Sequence, residues 1–157
     1  VPEPQPSEFP ALLAEHGPVI RLYSPETVIA EQFNAMVLLG MANSRMKDYF
    51  DIWMLSRNFT IEETVLREAI RQTFAKRQTA LPETEPIGLS TEFASNESKQ
   101  RQWQGFVRRQ RKQDSLPNLA EVLAAIRGFI MPAVVEISAT TPSSMIWTPD
   151  QGWRQTT

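Results

Sequence analysis

The spacing of apolar residues predicts that the chain is mainly α-helical. Its most apolar stretch, residues 44–57, places large side chains at the i, i+3, i+4, i+7 and i+8 positions of one helical stripe. These side chains are Met46, Tyr49, Phe50, Trp53 and Met54. Only a narrow sector is left for Lys47, Asp48 and Asp51, and charges on so apolar a helix need partners if they are buried.

Local signals place further helices around this one. Ser24 before Pro25 is typical of a helix start, and Gly40 marks the end of that helix. Thr60 followed by Glu63 matches a capping box at the head of another helix. The remaining helical periodicity covers about 90–94, 96–112 and 118–135.

These elements predict a bundle of about five helices after a short N-terminal strand. Residues 1–17 are rich in proline and predict an extended lead-in. Residues 19–23 alternate and begin with β-branched side chains, which is typical of a strand. The helical domain is expected to span residues 18–135. Residues 136–157 are rich in Ser, Thr and Pro and predict an irregular tail, which two tryptophans would hold against the bundle.

Composition narrows the possible function classes. The chain is 41% hydrophobic and 22% charged, which is ordinary for a globular domain. No stretch approaches the roughly 20 apolar residues of a membrane span. The absence of cysteine excludes thiolate metal sites, and the single histidine, His16, excludes histidine-rich metal chemistry. A net charge of −2 argues against a generic nucleic-acid binder but allows a local basic patch.

Asp48 and Asp51 are the first candidates for chemistry. Carboxylates three residues apart share a helix face, where they can hold a hard cation such as Mg²⁺ or accept a proton. Lys47 beside them can meet a phosphate. The alternative is structural, because acids near a helix N-terminus are stabilised by its dipole and can pair with Arg45 or Lys47. The spacing alone leaves both interpretations open.

A basic run between residues 99 and 112 is the second candidate. It contains six cationic residues and no acidic one: Lys99, Arg101, Arg108, Arg109, Arg111 and Lys112. Trp103 and Phe106 lie within it, which makes the run a candidate nucleic-acid contact. The alternative is a solvated helix face whose two aromatic residues belong to the core.

No complete catalytic motif is present. The chain has no Gly-rich phosphate loop, no H-E-x-x-H, no G-x-S-x-G and no D-x-D. It has only four aspartates, whereas phosphoryl-transfer sites use several acidic metal ligands. The chain is therefore expected to be part of a longer protein, with an N-terminal domain or a second chain that completes the fold.

Four segments resemble the AbiEii/AbiGii toxin family of nucleotidyltransferases. They read YSPETVIAE at 23–31, NSRMKDYFD at 43–51, TFAKR at 73–77 and WQGF at 103–106. The most specific part is the R-x-K-D-x-x-D core of the second segment, combined with the helix before it. The resemblance covers roughly residues 18–135.

The resemblance implies a nucleotidyltransferase-like α+β protein, of which this chain would be the helical C-terminal half. Such proteins are cytoplasmic toxins of type IV toxin–antitoxin or phage-defence systems. They transfer nucleotides from NTPs, with tRNA among the acceptors. The resemblance thus implies Mg²⁺ and NTP as cofactors of the complete protein, no tight binding of either to this chain alone, and a cognate antitoxin as partner.

The resemblance also assigns site residues. Asp48 matches the catalytic aspartate of the family motif and is a candidate metal ligand, and Asp51 closes the same motif. The family motif does not assign Arg45 and Lys47, but their charges make them candidate phosphate-binding residues. Gln32 stands where the family usually has a phosphate-binding lysine, and glutamine cannot supply that charge. The alternative is therefore a non-catalytic helical domain that binds an antitoxin or nucleic acid. In either case the acidic sector is expected to be exposed, because a missing domain would cover it.

Overall fold

The computed structural model describes residues 23–110, 116–138 and 140–156, so the predicted lead-in and nearly all of the predicted strand at 19–23 lie outside the described residues. Within these ranges the chain is mainly α-helical, as predicted, with a small antiparallel sheet. The helices are α1 (Pro25–Leu39), α2 (Met46–Asn58), α3 (Glu63–Lys76), α4 (Thr91–Ser95), α5 (Glu97–Arg108) and α6 (Leu119–Val135). The strands are β1 (Ile61–Glu62), β2 (Met145–Thr148) and β3 (Gly152–Gln155).

Helix α1 begins and ends at the residues that the sequence predicts. The Ser24 hydroxyl accepts a hydrogen bond from the Thr27 N–H at 3.2 Å, which caps the first turn. Gly40 ends the helix with a φ of 52°, a left-handed conformation that favours glycine. Asn118 caps α6 in the same way, because its side chain accepts from the Glu121 N–H at 2.9 Å.

Helix α2 lies at the centre of the bundle. Helix α1 packs along both α2 and α3, and α2 also packs along α6. Phe33 of α1 and Phe74 of α3 meet with ring centroids 5.6 Å apart. Because α2 has neighbours on most sides, its apolar surface is buried nearly all the way round, as its sequence predicts.

The predicted capping box at Thr60 is wrong. Thr60 is exposed, and the next two residues form β1 before α3 begins at Glu63. Ile61 is fully buried and pairs with Trp147 of β2. This long-range pairing and the burial of Ile61 override the local capping signal.

The tail is not irregular throughout, which corrects its prediction. Strands β2 and β3 form an antiparallel hairpin beside β1. The predicted role of the two tryptophans is confirmed: the indole N–H of Trp147 donates to the Ser56 carbonyl at 2.7 Å, and that of Trp153 donates to the Phe129 carbonyl at 2.8 Å. Ring contacts with Phe129 add apolar burial, so the hairpin closes the end of the bundle.

A buried arginine holds the segment before this hairpin against α3. Arg67 pairs with Glu63 at 3.2 Å, and both side chains are buried. The Arg67 guanidinium also donates to the Thr141 carbonyl at 2.7 Å. The Ser143 hydroxyl donates to Glu63 at 3.2 Å, so the ion pair and the tail satisfy each other's polar groups.

Replacing Arg67 with methionine is expected to lower the free energy of unfolding by about 3 kcal/mol, because Glu63 would stay buried without its cation. Urea denaturation measures the change. The matched control is Arg57→Met, whose side chain is exposed on α2 and should cost less than about 1 kcal/mol. Equal losses in the two variants would contradict the role of the buried pair.

Candidate functional site

The loop between α1 and α2 sets the direction of the site's side chains. Asn43 is fully buried, and its Oδ1 accepts a hydrogen bond from the Arg45 N–H at 2.9 Å. The Asp48 N–H donates to the Arg45 carbonyl at 3.0 Å, so helical bonding starts directly after this turn. As a result Arg45 and Lys47 are exposed, whereas Asp48 is buried.

Asp48 contradicts the expectation that the acidic sector is exposed. Its side chain is only 4% exposed, and its Oδ2 lies 3.3 Å from Nε of Arg45. The Arg45 side chain is 62% exposed. A cation on the rim thus compensates the charge of a carboxylate below it, which is why the carboxylate can lie in an apolar helix.

Asp51 is also buried, at 0% exposure, and has a different neighbour. Its Oδ2 accepts a hydrogen bond from Nε2 of Gln32 at 2.6 Å. The predicted exposure is therefore wrong for both carboxylates. The reason is that Gln32 on α1 and Arg45 in the loop supply the polar contacts that solvent would otherwise make.

Lys99 does not lie on the basic surface, which corrects its predicted nucleic-acid contact. It is 6% exposed, and its Nζ donates to the Asn43 carbonyl at 2.8 Å. The ammonium also lies 5.2 Å from the centroid of the Phe93 ring. Burial lowers the pKa of the Lys99 ammonium from its usual value.

The other described cations of the run are exposed on α5 and directly after it. Arg101, Arg108 and Arg109 all reach solvent. Trp103 and Phe106 are buried, with ring centroids 5.5 Å apart, which confirms that these two aromatic residues belong to the core. Arg111 and Lys112 lie outside the described residues.

One cleft brings the two candidate groups together. It lies between the first turn of α2 and helix α5 and has a volume of about 720 Å³. Arg45 and Lys47 line one wall, Arg101 and Arg109 line the other, and Asp48 also lines it. We call it the cationic cleft. Because cations gathered in a cleft raise the local concentration of anions, it is suited to a ligand with several negative charges.

Two residues that support the site were not among the predicted ones. Asn43 has a local signal, since asparagine often bonds to the backbone two residues later. Gly88 has none. Its carbonyl accepts from the Tyr49 hydroxyl at 2.7 Å, and a Cβ at this position would lie 2.8 Å from the Met36 carbonyl oxygen. Glycine is therefore required at position 88, where the chain passes close to α1 and α2.

A metal site is not formed by the described residues alone. In that part of the chain, no three His, Cys, Asp or Glu side chains come close enough together to hold an ion. Asp48 is thus a single carboxylate in the cationic cleft. A search of the same residues for a membrane-spanning helix found no helix of sufficient length and apolarity.

Comparison with protein families identifies one match. The family model described as nucleotidyl transferase AbiEii toxin, type IV toxin–antitoxin system, matches residues 1–125. The chain belongs to this family, whose description is that of a nucleotidyltransferase toxin, and membership implies an antitoxin partner. Comparisons with curated proteins and with solved structures found no match.

Tyr49→Phe tests the buried hydrogen bond from Tyr49 to Gly88 through the pH dependence of the protein's stability. Burial raises the pKa of the Tyr49 hydroxyl above its ordinary value of 10.0. Above pH 10 the native state therefore keeps a proton that the unfolded state has lost, and stability falls as the pH rises. Lys99 contributes in the opposite direction, because its pKa is lowered.

Comparing the free energy of unfolding of the variant with that of the parent isolates the contribution of the Tyr49 hydroxyl. At pH 7 Tyr49→Phe should cost about 1 kcal/mol, because the Gly88 carbonyl loses its donor. This difference should shrink above pH 10, where only the parent loses stability through this group. Urea denaturation from pH 7 to 11 measures both. A difference that stays constant over this range would contradict the buried hydroxyl.

Proposed function

We propose that this chain supplies the helical part of a nucleotidyltransferase toxin that faces both the nucleotide and its acceptor. The reaction transfers a nucleotide from an NTP to an acceptor such as tRNA. Family membership supports the reaction class. The observation that carries the proposal is the cationic cleft, in which residues 45–48, the R-x-K-D part of the motif, face the basic surface of α5.

The NTP triphosphate occupies the cationic cleft. Guanidinium groups form charge-assisted, often paired hydrogen bonds to phosphate oxygens, and the cleft presents arginines on both walls. Arg45 contacts Asp48 through Nε, and its side chain is largely exposed. Its terminal N–H groups can therefore turn to a phosphate. Lys47 adds a mobile point charge on the same wall.

Asp48 acts as the catalytic carboxylate. Arg45 keeps its Nε contact with Asp48 while its terminal N–H groups meet the phosphates, and the Asp48 carboxylate lies beside the reacting groups as a proton acceptor. It takes the proton of the acceptor hydroxyl as the new oxygen–phosphorus bond forms at the α-phosphorus and pyrophosphate leaves. Its burial favours this role, because electrostatic effects are stronger where water is excluded.

Asp51 and Gln32 act indirectly. Their hydrogen bond of 2.6 Å joins α2 to α1 and so fixes the helix that carries Asp48. Gln32 has no charge to offer to a phosphate, and its Nε2 group is already bonded to Asp51. We therefore assign neutralisation of the phosphates to Arg45 and Lys47.

The acceptor approaches over α5. Arg101 and Arg109 line the cationic cleft, and Arg108 is exposed on the same helix, so an RNA backbone would meet several cations there. Mg²⁺ belongs to the complete protein in this proposal. The described residues offer it one carboxylate, that of Asp48, which does not make a metal site, so no step is assigned to the metal.

The remaining parts of the proposal follow from the family. A further domain or a second chain supplies the acidic metal-binding motifs, so this chain alone is inactive. The antitoxin partner is implied by the family, and binding of this chain to it is part of the proposal. We place the protein in the cytoplasm, where NTPs and tRNA occur together, and assign it to phage defence.

A second candidate function is a non-catalytic helical domain that binds an antitoxin or nucleic acid. The observation that favours it is the contact between Gln32 and Asp51. A carboxylate of the motif is bonded to a neutral amide at the position where the family usually has a phosphate-binding lysine. In this version the cationic cleft binds an anionic partner and transfers nothing.

Inorganic triphosphate provides a direct binding test, because it stands in for the polyphosphate of an NTP. Calorimetry at low salt should detect binding to the full chain, and Arg45→Gln and Arg101→Gln should each weaken it about tenfold. The control Arg57→Gln, exposed elsewhere on α2, should leave the affinity unchanged. No binding by the parent chain, or an equal loss in the control, would contradict the phosphate site.

Nucleotide transfer tests the role of Asp48. In a protein that joins this chain to its acidic-motif domain, Asp48→Asn should lower kcat for labelling of tRNA at least about 100-fold, because the proton acceptor is lost. Arg57→Gln should keep full activity.

Two further outcomes separate the candidate functions. Undiminished transfer by Asp48→Asn would remove its catalytic role. Salt-sensitive RNA binding without any transfer in the parent protein would favour the non-catalytic domain. The 157-residue chain alone should not turn over NTP in the presence of Mg²⁺.

A further inference from the structure

One buried side chain joins the two chain segments that carry the walls of the cationic cleft. Lys99 lies in the first turn of α5, beside the residues that form one wall, and its Nζ reaches the carbonyl of Asn43 at 2.8 Å. Asn43 immediately precedes the segment that forms the other wall. The two walls are distant in sequence, and this hydrogen bond joins the chain segments that carry them.

The burial of Lys99 needs a reason beyond stability. An ammonium loses its hydration when it is buried, and a single carbonyl acceptor with a ring at 5.2 Å only partly replaces it. An apolar side chain of similar length would pack against Phe93 without that cost. A buried hydrogen bond of this kind, which we call the Lys99 tie, is instead suited to fixing one arrangement of two elements.

Further contacts connect the hydrogen bond of Lys99 to the first wall of the cleft. Asn43 accepts from Lys99 through its backbone carbonyl and from the Arg45 N–H through its side chain, at 2.9 Å. Phe93 below the ammonium stacks on Tyr49 of α2, with centroids 5.3 Å apart. The ammonium is therefore held between the Phe93 ring of α4 and the loop from which Arg45 projects.

The second wall is fixed at the same residue. The backbone N–H of Lys99 donates to Oδ1 of Asn96, the residue that caps α5, at 3.0 Å. Arg101 follows two residues later and Arg109 comes directly after the helix, and both line the cleft. One residue thus connects the start of α5 with the start of α2.

We propose that Lys99 is a positioning residue that ties the walls of the cationic cleft together. The tie lets Arg45 and Lys47 on one wall and Arg101 and Arg109 on the other reach the same polyphosphate. The inference rests on the proposed function, since it assumes that the cleft binds phosphates. Lys99 itself is not among the residues that line the cleft and does not touch the ligand.

The tie has a measurable consequence. When both walls are fixed, the ligand does not have to order them, and contacts on opposite walls cooperate. When the tie is removed, each wall contributes separately. Coupling between Arg45 and Arg101 in a double-mutant cycle reports this difference, whereas a general loss of stability would not change it selectively.

The first experiment compares triphosphate affinity between variants of the full chain. Lys99→Met removes the donor but keeps an unbranched side chain that packs well against an aromatic ring. It should weaken inorganic triphosphate binding about tenfold, although every residue that touches the ligand is unchanged. Lys99→Arg should recover most of the affinity. Lys76→Met, which removes an exposed lysine at the end of α3, should change it less than about twofold.

The second experiment measures the coupling. Arg45→Gln and Arg101→Gln, alone and together, should show losses that differ from additivity by at least about threefold in the parent background. In the Lys99→Met background the two losses should become additive. Circular dichroism and thermal melting confirm that each variant is folded. If Lys99→Met does not fold, Lys99→Leu replaces it in both experiments.

The outcomes separate this inference from the function on which it rests. If the parent chain does not bind triphosphate, the proposed phosphate site fails. If the parent binds but Lys99→Met keeps the same affinity and the same coupling, the phosphate site stands and the positioning role of Lys99 is wrong. A loss no larger than that of Lys76→Met would also overturn it.

Discussion

Helix α2 is apolar on nearly every side, and its burial governs how the polar groups around it are arranged. A carboxylate or hydroxyl on such a helix cannot rely on solvent, and three of them meet partners outside the helix. Asp51 bonds to Gln32 on α1, Asp48 lies beside Arg45 in the loop, and Tyr49 donates to the carbonyl of Gly88. These contacts fix α2 relative to its neighbours, and the chemistry proposed for the site depends on that rigidity.

The same constraint separates supporting groups from groups that can act. Polar side chains below the surface hold the loop and the helix in place, whereas the exposed arginines and Lys47 can meet a ligand from two walls. A site built in this way needs little rearrangement when a polyanion binds, which lowers the cost of binding. It is also incomplete, because a nucleotidyltransferase needs more acidic groups than this part of the chain provides. This combination is consistent with one side of a divided active site.

The helix caps that the sequence predicts correctly depend on neighbouring residues, whereas the partners of Ile61, Asp51 and Lys99 are distant and are missed. Ser24 and Asn118 cap their helices because the residues that they contact lie three positions away. The signal at Thr60 failed because Ile61 pairs with Trp147 far along the chain. Lys99 looked like a surface cation, yet its acceptor lies 56 positions earlier, and the partner of Asp51 lies 19 positions earlier. Periodicity identifies a buried face but not what covers it, and here Gln32 and Arg45 of this chain lie against the two carboxylates, whereas the sequence predicts that a further domain covers them.

The most direct test of this account is a crystal structure of the chain with inorganic triphosphate. Density for the anion is expected in the cationic cleft, with the guanidinium groups of Arg45 and Arg101 on the same molecule and the hydrogen bond from Lys99 to Asn43 intact. Triphosphate bound on another surface, or an empty cleft at a concentration that saturates binding in solution, would contradict the claim that the two walls form one phosphate site.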